Sequence, residues 1–157
     1  MREIKFRGIR VDNNEWIYGT FIVIKNVFDE EDPEEKIMFF DSKWIAGCEA
    51  IGECWIEVKP ETVGEFTGPK DKNGVEIFEG DIVETNGELF RIIDNSKTGL
   101  FQSCKYIITW VDDSWGTKII YNSRWNSKFN KYGSLSRGLS AKHYTIIGNI
   151  HQNPSML

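Results

Sequence analysis

Acidic side chains stop at Asp113. All 24 of them lie at or before that residue. From Ser114 to Leu157 the chain carries Lys118, Arg124, Lys128, Lys131, Arg137 and Lys142 and no anion. Histidine is scarce, with only His143 and His151, and there is no His-x-x-x-His pair. The three cysteines, Cys48, Cys54 and Cys104, are an odd number without Cys-x-x-Cys spacing. That excludes a disulfide framework and a thiolate zinc site, and it fits a reduced, cytoplasmic protein. No apolar run approaches the length of a membrane span, so no transmembrane helix or membrane partner is expected. The opening Met1-Arg2-Glu3-Ile4-Lys5-Phe6 alternates as a strand does and lacks the apolar block of a signal peptide. Gly-x-Ser-x-Gly and phosphate-binding glycine loops are also missing.

What is abundant is turn chemistry between short apolar pairs, concentrated in residues 60–84. Pro60 follows the alternating Trp55-Ile56-Glu57-Val58, so it ends a strand and presets one helical turn. Gly64 and Gly68 offer reversal points. Asp71-Lys72-Asn73-Gly74 reads as a tight turn, because Asn and Gly both tolerate positive φ. Glu79-Gly80-Asp81 reads as a second turn before Ile82-Val83, with Asp81 capping nearby amides. Asn73, Gly74, Gly80 and Asp81 are therefore structural turn residues, and Lys70-Asp71-Lys72 reads as an exposed turn. Asn86-Gly87 repeats the hairpin signal before Leu89-Phe90-Arg91-Ile92-Ile93.

At 157 residues, with 40% apolar and 13% aromatic side chains, the chain suffices for one domain with a substantial core. Residues 3–10 and 16–24 read as an antiparallel hairpin. Trp16, Tyr18, Thr20 and Ile22 fall on one face and Ile17, Phe21 and Val23 on the other. Bulk on both faces predicts a hairpin covered on both sides. Asp29-Glu30-Glu31-Asp32-Pro33-Glu34-Glu35 reads as a solvated loop, since its spacing fits no calcium-loop pattern. Further strands are predicted at 37–40, 54–58, 106–111, 117–121 and 144–150. Ser123 can cap a short helix through Tyr132, with Trp125, Phe129 and Tyr132 on one face and Gly133 as its stop. Residues 133–142 read as a glycine- and serine-rich loop.

The motif from Thr62-Val63-Gly64-Glu65-Phe66-Thr67-Gly68 through Asp71-Lys72-Asn73-Gly74 to Glu79-Gly80-Asp81-Ile82-Val83 resembles the centre of the YopX family of phage and prophage proteins. The opening Ile4-Lys5-Phe6-Arg7-Gly8 with Trp16-Ile17-Tyr18-Gly19 is similar to that family's start. The closing Ile147-Gly148-Asn149-Ile150 with Asn153-Pro154 is similar to its end. The resemblance implies a mainly β protein with an SH3-like barrel, to which the capped segment from Ser123 adds a minor helical part. It divides a single domain, residues 1–157, into an N-terminal β-rich region over 1–58, a small SH3-like barrel from 60–93 plus 144–150, and a variable insertion over 95–143. The N-terminal region would pack on the barrel, and the one short helix would lie in the C-terminal third. The family implies self-association and no established activity.

No catalytic, cofactor or metal site is expected. His151 after Gly148-Asn149 reads as a surface histidine near a chain end, and Cys48 and Cys54 as buried structural thiols. The charge split is the one functional signal, and it is evidence about partners rather than fold. Lys118, Arg124, Trp125, Lys128, Phe129, Lys131, Tyr132 and Arg137 form a basic aromatic surface. It can fold back on the chain's own acidic part, meet the acidic part of a second copy, or track phosphates while its rings stack on bases. The first weighs most and the last least, because the protein as a whole is acidic. The expected function is a non-enzymatic binding or assembly protein, a homo-oligomer in the host cytoplasm with no host partner named. The alternatives are nucleic-acid binding through residues 115–142, or an enzyme or inhibitor of host nucleic-acid metabolism.

Overall fold

The computed structural model describes residues 4–25, 35–40, 55–90, 96–123, 136–137 and 141–157. The fold is mainly β: strands and short 3-10 turns, in two compact units, Met1–Phe66 and Thr67–Leu157.

In the first unit, β1 (Phe6–Ile9), β2 (Trp16–Lys25), β3 (Glu35–Phe40) and β4 (Trp55–Val58) form an antiparallel meander. The start of β5 (Gly64–Lys70) lies on the other side of β1, so the order is β4-β3-β2-β1-β5. Alternation puts Ile17, Phe39 and Val58 in a buried cluster, with Phe6, Phe21, Ile37, Ile56 and Val63 against it. The Phe21 ring meets Phe6 edge-on at 4.7 Å and stacks on Phe39 at 5.8 Å. The opposite face of β2 is covered only in part: the buried Arg7 sets its guanidinium 4.4 Å from the centre of the half-buried Trp16 ring, while Tyr18 and Ile22 are 45% and 41% exposed. The expectation of a hairpin covered on both sides therefore fails over Tyr18 and Ile22. The sheet curls until its ends touch. Arg10 bridges Val58, Lys59 N–H donates to Ile9 O at 2.9 Å, and Val11 N–H donates to Glu57 O at 3.1 Å. Pro60 opens the expected turn, a 3-10 turn over Pro60–Thr62. Thr62 Oγ1 there accepts from Ile9 N–H at 2.9 Å and donates to Lys59 O at 2.7 Å.

In the second unit, the end of β5 neighbours β6 (Glu76–Phe78) across the Asp71–Gly74 turn. The main sheet contains β7 (Asp81–Phe90), β8 (Lys97–Val111), β9 (Ser114–Asn122), β10 (Ser136–Arg137) and β11 (Thr145–Asn149). Its order is β10-β9-β8-β7-β11, all antiparallel. The core side collects Ile77, Val83, Ile108, Ala141 and Tyr144, with Tyr106 and Ile146 against them.

The return of residues 144–150 onto the central stretch is as expected, because β11 pairs with β7. A closed barrel is not what results. Closure requires the first and last strands of a sheet to pair along a ladder. Here β7 is flanked on both sides, by β8 and β11, and the sheet runs from edge to edge. The described residues form two antiparallel sheets and no closed barrel. Asn86-Gly87 is also not a hairpin. The two residues continue β7, opposite Ser103 and Gln102, because fifteen-residue β8 offers a ladder that outweighs the local turn preference. The helix predicted over Ser123–Tyr132 falls almost wholly outside the described residues.

Candidate interaction surfaces

The turn residues come first, since they hold the sheets in place. Asp71 is buried, not the middle of an exposed turn. Its Oδ1 accepts from Asn73 N–H at 2.8 Å and Val75 N–H at 2.9 Å. Its Oδ2 accepts from Ile146 N–H of β11 at 3.2 Å and weakly from Asn73 Nδ2 at 3.5 Å. Burial pushes the Asp71 carboxyl upward, but these N–H donors outweigh it and hold it below the usual carboxylate value. An Asp whose side chain can take the N–H two residues on, here that of Asn73 ahead of Gly74, makes an Asx turn, which is the signal that could have assigned Asp71 this role. Gly74 closes the turn at φ +83°, with its N–H donating to Asp71 O.

Asp81 caps as expected. Its Oδ2 accepts from Phe78 N–H at 2.8 Å, and its Oδ1 faces Asn149 Nδ2 at 3.4 Å. Gly80, at φ +78°, donates its N–H to Ile108 O and accepts from Ile150 N–H. Asn149 Oδ1 takes His151 N–H at 2.9 Å, and Asn153 Oδ1 takes Asn149 N–H at 3.1 Å. Most of these contacts hold backbone N–H groups of the turn and of the chain after β11 in place.

Of the basic aromatic surface, the structure describes the two ends. Lys118 is exposed on β9 opposite Ile107, and Arg137 lies on β10 at the register of Gly116. Arg124, Trp125, Lys128, Phe129, Lys131 and Tyr132 lie outside the described residues, as do Cys48, Cys54 and the acidic loop before β3. Pairing adds two residues to the Lys118 face that sequence reasoning missed. Lys105 is opposite Tyr121 and Glu84, and its ammonium sits 5.6 Å from the centre of the Tyr121 ring. Tyr121 is itself 47% exposed. The opposite face of β8 is closed. Cys104 is buried and its Sγ accepts from Gln102 Nε2 at 3.2 Å. Burial, then a hydrogen bond with Cys104, pushes the Tyr106 hydroxyl up to about 12, so it stays neutral. Among the described residues no three His, Cys, Asp or Glu side chains come together as a metal site. No helix among them is long and apolar enough to cross a membrane.

Among the described residues of the second unit, the most exposed apolar side chain is Phe101, on the outer part of the paired β7 and β8 strands. Leu100 is 56% exposed and Phe101, opposite Glu88, is 71% exposed. Gly99 precedes them at φ +69°, and the register slips between Glu88 and Phe90. The extra residues on β8 turn two adjacent apolar side chains outward, which strict alternation would not allow.

Against known proteins, the sequence profile described as "YopX protein" matches residues 5–157. No curated protein matches. Among solved structures the chain is similar to protein EF1440 from Enterococcus faecalis, at 23% identity and a TM-score of 0.42, covering 100% of this chain and 99% of that one.

Proposed function

This chain belongs to the YopX family, and on that premise we propose that it is a non-enzymatic assembly protein of a phage or prophage, working as a homo-oligomer in the host cytoplasm. The observation that carries the reading is the exposed pair Leu100 and Phe101 on the outer β7–β8 hairpin. Contiguous exposed apolar surface is the mark of a contact site, and these two large side chains adjoin in sequence. Burying what remains exposed of both in an interface is worth roughly 2–4 kcal/mol per copy before the losses of association. The turn carboxylates support the non-enzymatic part, since Asp71 and Asp81 are occupied by backbone amides. Light scattering at tens of micromolar tests it. A mass of several chains is expected, and a mass of 18.2 kDa, that of one chain, would refute it.

A second reading has one observation in its favour. The Lys105, Lys118 and Tyr121 side chains share the exposed face of β8 and β9. Cations beside an open ring suit a single-stranded nucleic acid. The net charge of −5 opposes it.

A further inference from the structure

We propose that copies of this chain join head to tail, the outer edge of β8 at Leu100–Gln102 in one copy pairing with the outer edge of β7 at Thr85–Gly87 in the next. The proposal rests on the self-association reading above and names its surfaces.

The geometry begins with where the neighbouring strands stop. β11 accompanies β7 only over Asp81–Glu84. β9 accompanies β8 only as far as Cys104, and leaves where Ser103 N–H donates to Ser123 Oγ at 3.0 Å and Ser123 N–H donates to Ser103 O at 2.9 Å. Beyond those points β7 and β8 continue together, with Thr85, Asn86 and Gly87 opposite Cys104, Ser103 and Gln102. Among the described residues no third strand joins this part. A two-stranded ribbon is marginal in water by itself. Its edges are templates for another chain unless charge or proline guards them. Neither Leu100-Phe101-Gln102 nor Thr85-Asn86-Gly87 contains a charged residue or a proline.

Charge selects which edges meet. β7 carries Asp81, Glu84 and Glu88 and no cation, whereas β8 carries Lys97 and Lys105 and no anion. A two-fold pairing of β8 with itself about Phe101 would set Lys97 opposite Lys105. A two-fold pairing of β7 with itself about Asn86 would set Glu84 opposite Glu88. Like charges directly across a ladder destabilise it, and unlike charges support it. Pairing β8 with the β7 of another copy places a basic strand beside an acidic one. It also brings a second ribbon against Leu100 and Phe101. Such an interface uses two different surfaces, so it propagates in one direction, into a ring where the rotation closes and a filament where it does not.

Two variants block one edge each. Asn86→Lys puts a cation on β7, and Phe101→Glu puts a carboxylate on β8. Both positions are exposed, so both chains should fold, as circular dichroism and thermal melting will report. Light scattering on full-length protein then reads the masses. Each variant alone should fall to a single chain. Their equimolar mixture should recover species larger than one chain of 18.2 kDa, because the unaltered β8 edge of one meets the unaltered β7 edge of the other, and the introduced cation and carboxylate face each other across the second pair. Assembly of either variant by itself to the parent's mass would overturn the proposal and leave self-association standing through another surface. A mixture that stays at one chain would overturn it too. A monomeric parent would remove the reading on which it rests.

Discussion

Asp71 joins a turn to a strand through one carboxylate. Its two oxygens take N–H groups from Asn73, Val75 and Ile146, which is 75 residues away in sequence. Because those donors lower its pKa from the ordinary 3.8, the stabilisation is fully present above that value and is lost as pH falls through the lower folded-state value. Asp71→Asn keeps one acceptor oxygen but turns an NH₂ toward an N–H donor. We expect it to destabilise the fold by about 1–3 kcal/mol at pH 7, the usual penalty for a buried hydrogen-bonding group left unmatched. Denaturant melts at pH 7 and pH 3 check this. The gap between parent and variant should narrow at pH 3, and an equal gap at both pH values would show that the charge is irrelevant.

The glycine turns at Gly74 and Gly80 share a backbone conformation and differ in surroundings. Both glycines have positive φ, where side chains strain the backbone by about 1–3 kcal/mol. A Cβ on Gly74 would meet nothing within 4 Å, whereas one on Gly80 would lie 3.3 Å from both Asn149 Nδ2 and Ile150 Cγ1. Gly74→Val should therefore show the backbone term alone. Gly80→Val should exceed it and loosen β11, whose following residue Ile150 bonds to Gly80 O. Urea midpoints of the two variants, with hydrogen exchange at Ile150, measure the difference; equal midpoints would contradict the packing argument. Gly74→Asn should melt close to the parent, since Asn adopts positive φ more readily than other side chains.

For the molecule as a whole, the charge split separates assembly from nucleic-acid binding. A phosphate-binding β8–β9 face would give a log-affinity against log-salt slope of about −2 to −4 for three to five contacts with single-stranded DNA. The assembly reading expects no such binding. Lys105→Glu with Lys118→Glu should then change nothing in a DNA titration at low salt, and a steep slope in the parent that this pair removes would favour the second reading.

Local chemistry was legible in the residues by themselves. Asn73-Gly74, Gly80-Asp81 and Pro60 restrict their own φ and ψ and find their partners within a few residues, so their roles follow from sequence. The alternation of β1, β2, residues 106–111 of β8 and residues 117–121 of β9 was equally readable, because side chains alternate faces wherever the backbone runs extended without a bulge. The basic segment was legible as charge, though pairing alone brought Lys105 and Tyr121 beside Lys118. Only the tertiary structure decided that Asn86-Gly87 stays extended, because a ladder along β8 overrides a turn preference. It alone decided that Asp71 is buried, since the deciding donor arrives from β11. It also decided that Leu100 and Phe101, within the stretch read as a variable insertion, face water. Exposure depends on where neighbouring strands end, and β9 and β11 end before the ribbon does.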